Sequence, residues 1–245
     1  MSPLLEARNL SVVRPGDGGP VTVLDGVDFS VEAGTLTEVT GPSGSGKTTL
    51  LLALARLLPG ATGELAIDGA PAVAIPPQVW RTHVALLPQR AALVPGTVAD
   101  NLRLPWSLHA RAHETAPDDG ALRTALHGVG LAEVALDRDV SRLSVGQAAR
   151  IALLRTVLTR PRVLLLDEPD ASLDDASAAE VACVTAGFVA DGGAVVRVSH
   201  VRADATATVR YCLEGGTLTN LAAPEPAEPP ARPPVAPPRE EAPDA

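Results

Sequence analysis

The stretch Gly41-Pro42-Ser43-Gly44-Ser45-Gly46-Lys47-Thr48 decides the fold, because it fits the pattern G-x-x-x-x-G-K-[ST]. Residues 36–40 before it predict a short strand, and residues 47–58 predict a helix that begins inside the pattern. In such a strand–loop–helix unit, backbone N–H groups of the loop point inward at phosphate oxygens, and the helix dipole adds positive potential. The sequence therefore predicts a site for a nucleoside triphosphate.

Two side chains of this loop carry its chemistry. Lys47 is the only lysine of the chain, and its compact ammonium suits the β- and γ-phosphates better than a planar guanidinium would. The Thr48 hydroxyl is expected to ligate Mg²⁺. The residues predicted to bind ATP here are Gly41, Pro42, Ser43, Gly44, Ser45, Gly46, Lys47, Thr48 and Thr49.

A pair of carboxylates follows a second apolar segment. Residues 163–166 are wholly apolar, and Asp167 and Glu168 come directly after them. The carboxyl edge of a parallel sheet faces the ligand crevice, so both side chains should reach the phosphate loop. We expect Asp167 to hold Mg²⁺ and Glu168 to polarise the attacking water as a general base.

The rest of the chain predicts an α/β architecture. Residues 4–13 and 21–31 alternate between apolar and polar and should form a β-hairpin around a Pro/Gly-rich turn. Residues 90–142 contain short amphipathic segments and predict a helical insertion. The apolar segments 163–166 and 194–198 each follow a helical pattern, which favours βαβ units and a parallel sheet.

Composition excludes several classes of protein. The chain has 245 residues, is 46% hydrophobic and carries a formal net charge of −9, with 29 acidic residues against 20 basic ones. Because no run of Lys and Arg occurs, nucleic acid is not predicted as a partner. The first residues form no apolar leader and no long apolar stretch follows, so we expect a cytoplasmic protein without membrane spans.

The end of the sequence and its cysteines predict little chemistry. Residues 224–245 are mostly Pro, Ala and Glu, so we expect one domain over 1–222 and a disordered tail over 223–245. Cys183 and Cys212 lie far apart in apolar surroundings. We expect both to be small buried hydrophobic residues and not a disulfide or metal pair.

Further motifs resemble those of one family of ATPases. Leu143-Ser144-Val145-Gly146-Gln147 resembles the LSGGQ signature of ATP-binding cassette (ABC) ATPases. Gln89 resembles the Q-loop glutamine, Ser172-Leu173-Asp174 the D-loop, and His200 the switch histidine. Together with the phosphate loop and the carboxylate pair, six motifs stand in the family's order between residues 41 and 200.

This resemblance implies a fold and a set of roles. The fold is the α/β P-loop NTPase (RecA-like) fold, a parallel sheet core with an N-terminal antiparallel β-subdomain and a helical subdomain inserted at about residues 90–145. The implied catalytic residues are Glu168, His200 and Gln89. The implied Mg²⁺ residues are Thr48, Gln89 and Asp167. The implied contacts to the nucleotide of a facing chain are Ser144, Gly146 and Gln147.

The resemblance also implies partners. Two cassettes, as a homodimer or as a dimer with another cassette, would sandwich two ATP molecules between the phosphate loop of one and the signature of the other. The dimer would drive a separate integral-membrane permease and would lie on the inner face of the cell membrane through it.

The sequence departs from the family pattern at three positions. Arg14 stands where an aromatic ring usually meets adenine, and its planar face can also stack on a purine. Val145 replaces the first glycine of the signature, which would slow hydrolysis if that position needs positive φ or a close phosphate approach. Glu38 lies in the strand before the phosphate loop, where an apolar residue is expected.

The transported substrate is predicted only locally. Residues 95–106 look like the same region of Fet-type cassettes, which are proposed iron exporters. Alternatives are a cassette for another imported or exported substrate and a regulatory subunit that binds ATP with weak turnover. Four apolar residues near Gln89 belong to the core or face the permease: Leu93, Val94, Leu104 and Trp106.

Overall fold

The protein contains two β-sheets and an inserted helical region. The computed structural model describes residues 3–16, 18–90, 92–171, 173–199 and 206–221. The strands are β1 (Leu5–Gly16), β2 (Gly19–Val31), β3 (Leu36–Thr40), β4 (Thr62–Ile67), β5 (Ala70–Pro71), β6 (Val84–Leu87), β7 (Val163–Asp167), β8 (Ala194–Val198), β9 (Val209–Glu214) and β10 (Thr217–Leu221). The α-helices are α1 (Lys47–Leu54), α2 (Pro77–His83), α3 (Val98–Arg103), α4 (Asp119–Gly128), α5 (Val145–Val157) and α6 (Asp175–Ala190).

The six-stranded sheet positions the site. Its strand order is β10-β9-β3-β8-β7-β6, and every neighbouring pair is parallel except β9 with β10. β3 and β7 are separated by β8, so the phosphate loop after β3 and the carboxylates after β7 meet at the same edge. The predicted α/β P-loop fold is confirmed.

The N-terminal sheet is antiparallel, with strand order β2-β1-β4-β5. The β1–β2 hairpin is longer than predicted, because Pro15 still pairs with Pro20 and Gly16 with Gly19. The Pro/Gly-rich residues that we expected to form a turn are therefore largely part of the two strands.

Helix α1 ends at Leu54, earlier than the predicted residue 58. The cause is Arg56, whose φ of 53° is incompatible with a continuing right-handed helix. Its guanidinium donates hydrogen bonds to the carbonyl oxygens of Ala72 and Ile75 at 2.7 and 2.6 Å. These contacts come from a distant segment, so the local helical pattern could not reveal them.

The helical region has its own apolar core, and α5 connects that core to the large sheet. Ile151 and Leu154 of α5 pack with buried residues of α3 and α4. The neighbouring Ala152 and Leu153 pack instead against β7 and β8. Helix α5 therefore contributes to both cores and joins the helical region to the large sheet.

Three remaining predictions concern the cysteines, membrane spans and the C-terminal tail. Cys183 is exposed on α6 and Cys212 is half-buried, so the expected burial is wrong for Cys183. In the described part of the chain, no helix is both long enough and apolar enough to cross a bilayer. The predicted tail over 223–245 lies outside the described residues.

Candidate nucleotide site

The phosphate loop requires glycine at two positions. Gly41 has a φ of 144°, and a Cβ atom there would lie 2.2 Å from the carbonyl oxygen of Leu213. Gly46 has a φ of 105° and is the N-cap residue of α1. Because Gly46 has no side chain to cap the helix, the first N–H groups of α1 remain available to a ligand.

Lys47 is buried inside this loop, with 5% of its surface exposed. Its Nζ donates to the carbonyl oxygens of Gly41 and Pro42, both at 2.9 Å. Burial lowers the pKa of Lys47, whereas the charges of Glu168 and Asp167 act to raise it. The ammonium is thus held in a loop of backbone dipoles, close to two carboxylates that counterbalance its charge.

Thr48 of the phosphate loop and Asp167 of the carboxylate pair lie close together in the fold. The Thr48 hydroxyl donates to Asp167 Oδ2 at 2.9 Å, and Asp167 is almost fully buried. A hydroxyl and a single carboxylate are hard oxygen donors, and Mg²⁺ in nucleotide sites takes one or two protein ligands plus phosphate oxygens. The donor set therefore fits Mg²⁺.

Glu168 has an unusual backbone conformation and a specific partner. Its φ is 48°, a left-handed value that is uncommon for a side chain of this size and often marks a functional site. Its Oε2 accepts a hydrogen bond from Gln89 Nε2 at 2.8 Å, and its N–H donates to the carbonyl oxygen of Val198 at 3.2 Å. The structure thus places two of the three predicted catalytic residues, Gln89 and Glu168, in direct contact.

Other residues of the loop differ in accessibility. Ser43 and Gly44 are exposed, whereas the Thr49 side chain is buried. The Ser45 hydroxyl is buried and has no hydrogen-bond partner among the described residues. An unsatisfied buried hydroxyl is costly, so a ligand oxygen next to it would be stabilised.

The signature residues form the capped start of α5. The Ser144 hydroxyl accepts from the Gln147 N–H at 3.2 Å, and Gln147 Oε1 accepts from the Ser144 N–H at 3.0 Å. This capping box starts α5 at Val145. Val145 has a helical backbone, so the cost of positive φ considered for it does not arise.

Val145 and Gly146 face different surroundings. Val145 is 69% exposed, whereas a Cβ atom at Gly146 would lie 2.8 Å from Ser177 Oγ on α6. The glycine therefore allows α5 to pack closely on α6. A cleft of about 280 Å³ lies beside this turn, and it is lined by Val145 together with Gln89 and Glu168.

Three further predictions concern Arg14, His200 and the D-loop. Arg14 is exposed near the end of β1. His200 and Ser172 lie outside the described residues. Asp174 of the predicted D-loop is the N-cap of α6, where it accepts from the Ser177 N–H at 2.7 Å.

Sequence reasoning missed two groups of polar contacts. Glu38 is fully buried and accepts a hydrogen bond from Ser199 Oγ at 2.7 Å, which explains a carboxylate in a covered strand. The only signal in the sequence was its polarity at an apolar position. Asn101 is also fully buried, and its amide group bonds both backbone groups of Val94 and so shapes the segment after Gln89.

A comparison with protein-family models decides the family. The model described as "ABC transporter" matches residues 24–171, which contain the phosphate loop, Gln89, the signature and the carboxylate pair. The chain belongs to the ABC transporter family. This cassette is therefore an ATP-binding protein of a family of transport ATPases, as the motifs predicted.

Individual relatives of the cassette are named for different transport roles. It is 34% identical to the probable iron export ATP-binding protein of Escherichia coli over 176 residues, 72% of this chain and 75% of the relative. It is 39% identical to a hemin import ATP-binding protein of Nocardia farcinica over 201 residues, 80% and 68% of the two chains. It is 38% identical to a cytochrome c biogenesis ATP-binding export protein of Cupriavidus metallidurans over 207 residues, 84% and 93% of the two chains.

Proposed function

We propose that the cassette binds and hydrolyses Mg-ATP to drive a separate membrane permease. One observation carries this proposal: a single chain brings Lys47, Thr48, Asp167, Glu168 and Gln89 together at one edge of the sheet. These are the groups needed to neutralise phosphates, hold a divalent cation and orient water.

The phosphate loop and Asp167 hold the substrate. Lys47 neutralises the β- and γ-phosphates, and the free N–H groups at the start of α1 bind phosphate oxygens. Thr48 and Asp167 would hold Mg²⁺, which neutralises the charge that develops on the phosphates during transfer. Because Lys47 and Asp167 are nearly buried, their charges act in a region of low dielectric and are weakly screened.

Glu168 and Gln89 prepare the water for attack. The Glu168 carboxylate accepts a proton from the water, and the Gln89 amide fixes the orientation of that carboxylate through their hydrogen bond. Gln89 follows β6 and leads into the helical region, so it also connects the reacting centre to that region. His200, which follows β8 by two residues in the sequence, is proposed to contact the γ-phosphate.

A second cassette is proposed to complete each site. Ser144 and the N–H groups of Val145 and Gly146 stand at an exposed helix start, which favours a bound anion. We propose that they meet the γ-phosphate held by the phosphate loop of a facing chain, in a homodimer or with another cassette. Arg14 would stack on the adenine of its own chain.

A groove of about 550 Å³ supports a permease partner. It lies between the end of α1, strand β6 and the helical region, and it is lined by Leu86, Leu108 and Arg111. Leu108 is 57% exposed, and Val94 on the neighbouring segment is 38% exposed, whereas Trp106 is half-buried. We propose that an apolar helix end of a permease covers these residues and holds the cassette at the inner face of the cell membrane.

Metal export is our first candidate for the transport reaction. Residues 95–106 resemble Fet-type cassettes, and the probable iron export ATP-binding protein of Escherichia coli is 34% identical to this chain. The identity of 39% to a hemin import protein favours heme as a second candidate.

The direct test is the ATPase rate of the purified chain, alone and with its permease in lipid vesicles. We expect Mg-dependent turnover that rises with the permease and is lost in Lys47→Ala. Arg123→Ala is the matched control, because it removes an exposed cation of α4 far from the loop. Tight ATP binding with no turnover in the complex would instead indicate a regulatory subunit.

A further inference from the structure

We propose that Glu38 is a positioning residue for the ATPase reaction. It lies in β3 behind the phosphate loop and ties Ser199, at the end of β8, to the centre of the sheet. The inference rests on the proposed function, and it assigns a role to a residue that belongs neither to the phosphate loop nor to the carboxylate pair.

Glu38 is held by two neighbouring strands. It has no exposed surface, and its Oε1 accepts a hydrogen bond from Ser199 Oγ at 2.7 Å. On its other side, Arg210 Nε of β9 lies 3.2 Å from Glu38 Oε2. The carboxylate therefore joins β8 and β9 through the strand between them.

The strand register extends this contact into a row of charges. Glu38 is opposite Arg197 on β8 and opposite Arg210 on β9. Arg197 in turn forms an ion pair with Asp170 at 2.5 Å, and both Arg197 and Arg210 are mostly buried. Arg197, Glu38 and Arg210 thus share one register row across β8, β3 and β9, and Asp170, beyond the end of β7, pairs with Arg197.

Ser199 and Asp170 are close in sequence to the proposed reacting groups. Ser199 directly precedes His200, and Asp170 follows Glu168 by two residues. The Glu168 N–H also donates to the Val198 carbonyl oxygen, so the ends of β7 and β8 are in contact. Strand β3 itself leads into the phosphate loop. Glu38 therefore links β3 to Ser199, and the ion pair of Arg197 with Asp170 links β8 to the segment after Glu168.

Burial energetics favour a positional role over simple stability. A buried ion pair often stabilises no more than apolar residues of the same size, because both charges lose their hydration. An apolar side chain in β3 could not hold the Ser199 hydroxyl in one direction, whereas a carboxylate can. The benefit of Glu38 is thus expected in the geometry of the segment that carries His200.

The test separates hydrolysis from binding. In the complex with the permease, we expect Ser199→Ala and Glu38→Gln to lower kcat about tenfold, because small misplacements of reacting groups reduce rates strongly. The Kd for Mg-ATP should change by less than about twofold, because the phosphate loop is untouched. Ser199→Thr should restore kcat, since it keeps the hydroxyl. Ser107→Ala and Glu64→Gln are matched controls at exposed positions.

A double-variant comparison excludes a merely structural effect. If Glu38 acts through the His200 segment, Ser199→Ala should lower kcat much less in a His200→Ala background than in the wild type. Full additivity, or an unchanged kcat in folded Ser199→Ala, would overturn the proposal. If Glu38→Gln does not fold, Ser199→Ala decides alone. Wild-type turnover of Lys47→Ala and Glu168→Gln would contradict the proposed function itself, which is a different result.

Discussion

Two helices begin at the proposed ATP site, and their first turns are built in opposite ways. Helix α1 starts at Gly46, which offers no side chain, so its first N–H groups have to be satisfied by something else. Helix α5 starts at Ser144, where a capping box with Gln147 already satisfies two backbone N–H groups. The first start is prepared for a ligand, whereas the second is stable without one.

The two starts also differ in their surroundings. Lys47 at α1 is 5% exposed and lies close to Asp167 and Glu168, whereas Val145 at α5 is 69% exposed. We expect groups of one chain to bind a phosphate at α1. We propose that another chain brings the phosphate to α5 and covers Val145 at the same time.

The largest expected effect is at the α1 start. Lys47→Ala removes the main cation facing the β- and γ-phosphates, so both ATP binding and turnover should fall. We expect a loss of about 4 kcal/mol in transition-state stabilisation, or roughly a thousandfold in rate. Titration with Mg-ATP and steady-state turnover measure the two effects. Unchanged values of both would contradict the role given to α1.

Glu168→Gln should separate binding from chemistry at the same site. The amide keeps the shape of the side chain but cannot accept the proton, so turnover should fall about a hundredfold while ATP stays bound. If each ATP bridges the α1 start of one chain and the α5 start of another, the trapped nucleotide should stabilise the dimer. Light scattering with Mg-ATP should then show a dimer, and wild-type turnover would refute the assignment.

Val145→Gly should affect the α5 start alone. Removing the branched side chain from the exposed first turn lets a facing phosphate approach the backbone more closely, so turnover with the permease should rise about threefold. The affinity of the isolated chain for ATP should hardly change. A large change in that affinity would show that the signature contacts the nucleotide of its own chain.

The smallest expected effect is on the pH dependence of stability, which should differ between helix caps that contain a carboxylate and helix caps that do not. Backbone and side-chain hydrogen bonds with Ser177 lower the pKa of Asp174, and the Thr97 hydroxyl and N–H do the same for Asp100. A lowered folded pKa means that the stabilisation is present above the unfolded value of about 4 and is lost as the pH falls through the folded value.

Urea unfolding at pH values from about 6 down to about 3 tests this difference between the caps, because carboxylates titrate in this range. The wild type should lose stability toward the acid end, and Asp174→Asn should reduce that loss while still capping α6. Ser144→Ala should lower stability by a similar amount at every pH, because its cap contains no titratable group. An equal acid loss in wild type and Asp174→Asn would remove Asp174 as a cause.

The comparison also shows what the sequence could predict. The phosphate loop, Asp167 and Glu168 were found because local spacing alone defines a strand, a turn and a helix start. The contact between Gln89 and Glu168 agrees with the family resemblance, although their roles stay predictions. The early end of α1 was missed, because Arg56 is drawn away by carbonyl groups of a segment beyond β5.

Two other features depended on neighbours that are distant in sequence. Glu38 had no explanation until β8 and β9 supplied Ser199 and Arg210. The concern about positive φ at Val145 was wrong, because the capping box draws this residue into the helix. Both features depend on tertiary contacts or helix caps, which the pattern of apolar and polar residues along the chain does not reveal.

We propose that each ATP site joins the first turn of α1 in one chain to the first turn of α5 in another. The most direct test mixes two inactive variants, Lys47→Ala and Ser144→Arg, and measures ATP turnover with the permease. In a mixed dimer one site keeps both an intact Lys47 and an intact Ser144. If chains pair at random and sites act independently, equal amounts should recover about a quarter of wild-type turnover. No recovery, with mixed dimers demonstrated, would contradict the claim.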